Sequence, residues 1–300
     1  MPPRVLIVTP VRNEGRHIER VVRAMAAQTL PPARWIVVDD RSTDDTLSQL
    51  RALESSVPWM TVLETPAAVG DGASSDRLAL AAEVRTFDRG LALDDWRSYS
   101  HVMKLDGDIE LPANYLEQLL ARFDADPGLG LAGGALSEPI PGGGLKQIGI
   151  PAHHVHGAVK CYSRPCFEAI GGIPARLGWD TIDETYARMR GFGTQTFFDL
   201  VSIHHRPFAT ADGRLRGRAR HGECAYIAHY GALWVTLRAA KVSRFPPVGL
   251  SGIAFLYGYV RAALRRVSRV DDAEFRAFTR QELRRRLLGM TAPRFGAGRS

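Results

Sequence analysis

His101-Val102-Met103-Lys104-Leu105-Asp106-Gly107-Asp108 is a short, largely apolar run that ends in two carboxylates separated by one glycine. Such a run, bounded by turn residues, reads as a buried strand, and the carboxylates then stand at its C-terminal end. Two carboxylates so spaced can converge on a hard divalent cation, and the glycine leaves room for a ligand. The same pattern occurs twice earlier. Val5-Leu6-Ile7-Val8 runs into Thr9-Pro10-Val11-Arg12-Asn13-Glu14-Gly15, and Trp35-Ile36-Val37-Val38 runs into Asp39-Asp40. Helical spacing separates these strands: Ile18, Val21, Val22 and Met25; then a helix started by Ser42 and Thr43 with Leu47, Leu50 and Leu53 on its apolar side. A third strand is expected at 60–63, a helix over about 76–91, and a further helix opened by Pro112 and carrying Leu116, Leu119, Leu120 and Phe123. Alternation of strand and helix predicts an α/β fold with a mostly parallel sheet flanked by helices. Ligands bind such sheets beyond the carboxyl ends of the strands, so the three polar clusters are expected on one rim.

Composition narrows the classes. The 300 residues are 45% hydrophobic and 24% charged, which excludes a wholly disordered, collagen-like or coiled-coil chain. Three cysteines with no CxxC pair argue against a disulfide framework or a zinc ribbon. No stretch reaches the ~18–20 apolar residues of a spanning helix, and Met1-Pro2-Pro3-Arg4 leads directly into the first strand. The expectation is a cytoplasmic protein. The net charge of +7 is unevenly spread: residues 201–300 hold 19 Lys and Arg against 6 Asp and Glu, a balance of +13, leaving −6 for residues 1–200. The last third is thus suited to an anionic partner. It holds no recognisable nucleic-acid reading motif, so a lipid or acidic acceptor is favoured over nucleic acid.

In the second half, a Pro/Gly-rich loop at 139–144 precedes a strand at 156–162, a helix at 165–170 stopped by Gly171-Gly172, a helix at 179–190, and strands at 194–198 and 201–205. The alternating Arg214, Arg216, Arg218 and Arg220 predict an extended basic stretch, and residues 221–290 predict helices. Tyr226, Tyr230 and Trp234 are spaced to share one side of one helix. The 16 uncharged residues 245–260, followed by Arg261, Arg265, Arg266 and Arg269, fit a helix lying at a membrane interface. The reading gives two domains, 1–206 and a basic, mainly helical 207–300.

Taken together and in order, Val8-Thr9-Pro10-Val11-Arg12-Asn13-Glu14, Val37-Val38-Asp39-Asp40-Arg41-Ser42-Thr43-Asp44 and Leu105-Asp106-Gly107-Asp108 resemble the signature of glycosyltransferase family 2, and residues 157–172 are similar to its acceptor-side segment. The resemblance covers about residues 4–206. It implies a GT-A, Rossmann-like fold and an inverting transferase that uses a nucleoside-diphosphate sugar with Mg²⁺ or Mn²⁺. It implies that Thr9, Pro10, Arg12 and Glu14 form the nucleotide loop, that Asp40 meets the base, and that Asp106 and Gly107 lie near the ribose. Asp108 then binds the metal and diphosphate, with Asp106 beside it, and Asp88 falls where the family has an Ala-Arg-Asn-x-Gly run, although here the segment reads RTFDRG.

The base that activates the acceptor hydroxyl is left among three carboxylates. Counting back from Gly191 without gaps puts Asp180 on the family's Asp; Asp183 and Glu184 form another acidic pair within one turn. His204 is a candidate third metal ligand, while His153, His154 and His156 read as acceptor-pocket or surface residues. The expected acceptor is a glycan or lipid-linked hydroxyl, as in surface polysaccharide assembly, with the protein peripheral at the inner face of the membrane. Two alternatives stand beside this reading. One is a non-catalytic, membrane-associated sugar-nucleotide-binding protein. The other is a sugar-phosphate nucleotidyltransferase, which the lack of an early Gly-rich, Arg/Lys-bearing loop disfavours.

Overall fold

The computed structural model describes residues 4–67, 76–140, 142–206 and 213–289. They group into two compact units that divide between Arg206 and Pro207. Of the segments read from sequence, residues 1–3, Pro141, 207–212 and 290–300 lie outside the described residues.

The first unit runs β1 (Val5–Val11), α1 (Ile18–Ala26), β2 (Arg34–Asp39), α2 (Thr46–Glu54), β3 (Met60–Glu64), α3 (Ala82–Leu91), β4 (His101–Leu105), β5 (Ile109–Glu110), α4 (Tyr115–Ala125), β6 (Leu129–Pro139), β7 (Leu145–Gln147), β8 (Val159–Ser163), α5 (Arg164–Ile170), α6 (Trp179–Met189) and β9 (Gly193–His204). The strands form one sheet in the order β3-β2-β1-β4-β8-β6-β9-β5, with β7 beside β6. β3, β2, β1 and β4 are mutually parallel, as are β6 and β9; β8 is antiparallel to both its neighbours. Successive side chains of a strand face opposite sides of a sheet. Val5 and Ile7 accordingly join a core with Ile18 and Val21 of α1, Leu50 of α2 and Leu119 of α4. Leu6 and Val8 join a second core with Phe87 of α3, Phe167 of α5 and Trp179 of α6. Helices on both faces explain why these strands read as unbroken apolar runs. Gly90 sets the approach of α3 to the sheet: a Cβ there would come 2.6 Å from both Val8 Cγ1 and Val38 Cγ2.

Local readings that used only neighbouring residues needed correction. The second helix starts at Thr46, because Ser42, Thr43 and Asp44 are engaged by the loop after β1. The helix expected from 76 begins at Ala82, after a turn over 77–80. The strand expected at 156–162 begins at Val159, since Val159 N–H closes a turn on the His156 carbonyl. The two strands expected at 194–198 and 201–205 are one strand, β9, irregular where its register against β6 shifts between Gly134 and Ala135.

His101 shows what the cores cost a titratable group. It is buried on β4, with its ring 4.6 Å from that of Phe123, and burial pulls its pKa down to about 4. The folded value lies below the unfolded one of ~6.5, so acid favours the unfolded chain. The contribution is complete above pH ~6.5 and is lost as pH falls toward 4, by on the order of 2–3 kcal/mol. Urea unfolding between pH 7 and 4 should show this loss, and His101→Gln should flatten that part of the profile.

The second unit holds α7 (Arg214–Ile227), α8 (Ala232–Val242), α9 (Leu250–Leu264) and α10 (Ala273–Leu287). The alternating arginines therefore lie on a helix. Arginine is a good helix former, and packing of α7 on α9 decides the matter. A Cβ at Gly222 would lie 1.9 Å from the Phe255 carbonyl oxygen, and one at Gly258 1.8 Å from that of Ala219, so glycine on both helices permits the contact. Tyr226, Tyr230 and Trp234 do not share a helix. α7 ends at Ile227, His229 is left-handed (φ 62°) with its ring bonded to the Val270 carbonyl at 2.7 Å, and α8 starts at Ala232. Tyr226 is buried edge-to-face on Tyr259, and Tyr259 Oη donates to the Tyr230 carbonyl at 2.8 Å. No helix among the described residues is long and apolar enough to cross a membrane.

Candidate active site

The C-terminal ends of β1, β2 and β4 meet at one rim, as the alternation of strand and helix requires. There a cleft of about 290 Å³ is lined by residues that include Pro10, Arg12, Glu14, Asp40, Arg77, Glu83, Asp106, Gly107, Asp108 and Arg206. The loops after β1 and β2 interlock to form one wall. Asn13 N–H donates to Ser42 Oγ at 2.9 Å, Thr43 N–H to Asn13 Oδ1 at 2.8 Å, Gly15 N–H to Asp44 Oδ2 at 3.1 Å and Glu14 N–H to Thr46 Oγ1 at 2.8 Å. Asn13 and Arg41, at the two bends, are left-handed (φ 57° and 59°), a conformation asparagine tolerates better than arginine. Arg12 donates to the Asp40 carbonyl. Gly107 lies against β1, where a Cβ would come 2.6 Å from Val11 Cγ1.

Three of the lining carboxylates respond differently to burial. Glu14 rises to about 7, first through desolvation and then through repulsion from Asp108, with Arg206 opposing; its Oε2 is buried without a hydrogen-bond partner. Asp106 rises to about 6 through burial, against the pull of Lys104, whose fully buried Nζ bonds Oδ1 and also donates to the Gly157 carbonyl at 3.2 Å. Asp108 goes the other way. Burial would raise it, but His204 and Arg206 overcome burial and hold it below the ordinary carboxylate range. Asp108 is thus the member of the trio held most firmly in its ionised form.

His204 reaches Asp108 by strand pairing. β5 follows the carboxylate turn directly and pairs antiparallel with the end of β9, Ile109 opposite His204. His204 Nε2 then stands 3.4 Å from Asp108 Oδ2, and His205 N–H donates to the Asp108 carbonyl at 3.0 Å. Arg206, next in the chain, bonds Glu14 and lies 3.7 Å from Asp108 Oδ2. Asp106, by contrast, is drawn back to Lys104 and does not converge with Asp108 and His204. Among the described residues no three His, Cys, Asp or Glu side chains form a closed metal cage. A cation held partly by phosphate oxygens does not need one. The hard oxygens of Asp108, the neighbouring imidazole of His204 and the orphaned Oε2 of Glu14 fit such a cation.

Other expected site residues sit elsewhere. Thr9 does not line the cleft: it is wholly buried within β1, and its Oγ1 accepts from Trp35 Nε1 at 2.8 Å. Asp88 lies on the exposed side of α3, whose cleft-facing residues are Ala82, Glu83 and Thr86. Asp40 does line the cleft, but its carboxylate is closed by Arg77, by Thr65 Oγ1 at 3.2 Å and by Arg89 at 3.7 Å. Asp183 and Glu184 are interior. Asp183 takes Lys160 Nζ at 2.8 and 2.9 Å and Tyr162 Oη at 2.5 Å; Glu184 takes Val155 N–H at 2.8 Å, His154 Nδ1 at 3.0 Å and Lys160 at 3.1 Å. With every approach filled by protein, neither can reach a substrate hydroxyl. In the histidine tract, His153 and His154 are half-buried, with His154 bonded to Glu184, and His156 is buried and held near pKa 4 by burial and by His154 and His204.

Asp180 alone of the three is partly exposed. It opens the first turn of α6 after Trp179, whose indole N–H donates to Glu83 in the cleft wall at 2.8 Å. Its charge reaches His156, which also feels His204. Arg77, Glu83, Lys104 and Arg206 were not anticipated. Arg206 follows the two histidines in sequence, but nothing local indicates that β9 delivers it to Glu14.

Residues 6–142 match the family described as Glycosyl transferase family 2. The structure is similar to a mannosyltransferase, PcManGT, from Pyrobaculum calidifontis, solved with GDP-Man and Mn²⁺ (20% identity, 96% of this chain and 81% of that one, TM-score 0.56). It is also similar to TarS of S. aureus solved with UDP-GlcNAc (13% identity, 94% and 81%, TM-score 0.55) and with UDP (13%, 87% and 72%, 0.53). At these identities the likeness is one of fold. No curated protein matches the sequence. The matched segment contains all three strand ends and the turn carrying Asp106 and Asp108, and the rest of the first unit completes the same fold: residues 6–142 form a glycosyl transferase family 2 domain, which supports a glycosyltransferase.

Proposed function

We propose that the protein transfers a glycosyl group from a nucleoside-diphosphate sugar to an acceptor hydroxyl with inversion, using a divalent cation, Mg²⁺ or Mn²⁺. The observation that carries this reading is the separation of roles around one rim. Asp108 is kept ionised beside His204, while Arg12 and Arg206 offer positive charge in the same cleft. Asp108 and His204 would hold the cation, which when bound neutralises the diphosphate and eases its departure. Arg206 is placed to exchange its contact with Glu14 for a phosphate oxygen. Arg77, now on Asp40, stands where the nucleoside would enter and must yield if Asp40 is to meet the base. Asp180 acts as the general base, accepting the acceptor's proton as its oxygen attacks the anomeric carbon opposite the leaving diphosphate. The printed ligands of the similar structures, GDP-Man with Mn²⁺ and UDP-GlcNAc, support this donor class.

Calorimetric titration with UDP, GDP, dTDP and CDP, each with and without Mn²⁺, tests the proposal. One nucleotide should bind in a metal-dependent way, and Asp108→Ala should weaken it by at least about tenfold. Metal-independent binding, or an unchanged affinity in Asp108→Ala, would remove Asp108 from the cation site. Failure of all four to bind would remove the donor assignment.

A further inference from the structure

The second unit buries one side of α9 and leaves the other bare. Ser251, Gly252, Phe255, Gly258 and Ala262 form its packed side. On the opposite side Leu250, Ile253, Tyr257, Val260 and Leu264 are each more than half exposed, with Ile253 at 62% and Leu264 at 79%. At 100° per residue these five fall within an arc of ~80°, in a stripe ~21 Å long. Val248, just before the helix, is 72% exposed. Nine of the 17 exposed large hydrophobic residues among those described lie between residues 233 and 264, which makes this a concentration and not ordinary scatter. Charge follows the stripe. Residues 231–270 contain seven Lys and Arg and no Asp or Glu. Arg261 and Arg265 border the stripe on the wheel, Arg266 follows the helix, and all three are exposed.

We infer that this face of α9 docks on an anionic lipid bilayer, the helix lying in the plane of the interface with its stripe among the upper acyl chains and its arginines at the headgroups. An apolar side with a purely basic margin is the pattern of an interfacial helix. A second copy of this chain fits less well, because a symmetric contact would set a purely basic margin against itself. The surface is distinct from the nucleotide cleft and does not depend on the donor assignment.

Co-flotation with phosphatidylcholine vesicles, made with and without phosphatidylglycerol, tests the inference. Binding should require phosphatidylglycerol and weaken with salt. Replacing Arg261, Arg265 and Arg266 together by Gln should weaken it by about 100-fold. Ile253→Ser with Leu264→Ser should weaken it by at least about tenfold. All five positions are exposed, and circular dichroism should show unchanged folding; the arginine variant removes no apolar surface and keeps the test decisive if the serine variant is impaired. No binding to phosphatidylglycerol vesicles, or binding indifferent to both variants, overturns the inference. So does a concentration-dependent dimer in sedimentation that the serine variant dissolves, which would assign the stripe to a second copy.

Discussion

Asp180→Asn is expected to lower the rate of glycosyl transfer by about a hundred- to ten-thousandfold, the usual contribution of a positioned general base. Nucleotide affinity should be unchanged, and unfolding should stay within about 0.5 kcal/mol of the wild type, because Asp180 is partly exposed at the open end of α6. Asparagine keeps the size of the side chain and loses the ability to take a proton. The position of Asp180 is fixed from below, since its backbone carbonyl accepts from Lys160 Nζ at 2.5 Å and Trp179 is anchored on Glu83. Steady-state transfer, or donor hydrolysis with water as acceptor, gives the measurement. A variant with full turnover would exclude Asp180 as the base. One that lost turnover only through unfolding would make it structural.

Lys160→Met is expected to destabilise the fold by about 3–5 kcal/mol, the cost of leaving buried carboxylates without their counter-ion. Lys160 is wholly buried; Asp183 and Glu184 outweigh its desolvation and hold its pKa above the ordinary lysine value, so it is charged. It bonds Asp183 through both oxygens and lies 3.1 Å from Glu184. β4 pairs with β8 so that Lys104 stands directly opposite Lys160, and the ring of Trp179 lies 5.0 and 5.3 Å from the two ammonium groups. Two like charges are tolerated side by side because each has its own carboxylates, Asp106 and Glu83 for one, Asp183 and Glu184 for the other. Pairing Lys160→Met with Asp183→Leu should recover part of the loss, and a urea double-mutant cycle would measure the coupling. A cost below about 1 kcal/mol would show that the network contributes little to stability.

The contrast between these variants bears on what could be read without the fold. Asp180, Asp183 and Glu184 lie within five residues, and all suit a base by type. Three and four residues apart, they share one side of α6; Asp183 and Glu184 are covered by β8 and the His154 segment, while Asp180, one turn earlier at the start of the helix, stays partly exposed. Sequence spacing cannot make that distinction because it does not show how far along α6 the cover extends. Thr9 and Asp88 were misplaced for a related reason. The resemblance assigned their segments correctly to the rim, but the pleat of β1 turns Thr9 into the core, and the turn of α3 brings Glu83 to the cleft in place of Asp88.

The order of strands and helices through α4 except for the short β5, the parallel half of the sheet and the three polar strand ends followed from the sequence alone. Those features are local: apolar runs, helical periodicity and the charges that interrupt them recur within a few residues of one another. The partners of those charges were settled only by tertiary structure. His204 and Arg206 reach Asp108 and Glu14 because β5 and β9 pair across about 95 residues. Lys104 meets Lys160 because β8 runs antiparallel to β4, and the basic stretch at 214–220 becomes helical because two glycines let α7 lie against α9. Burial and pairing between distant segments decide which carboxylate keeps its charge, and neither is visible from spacing along the chain.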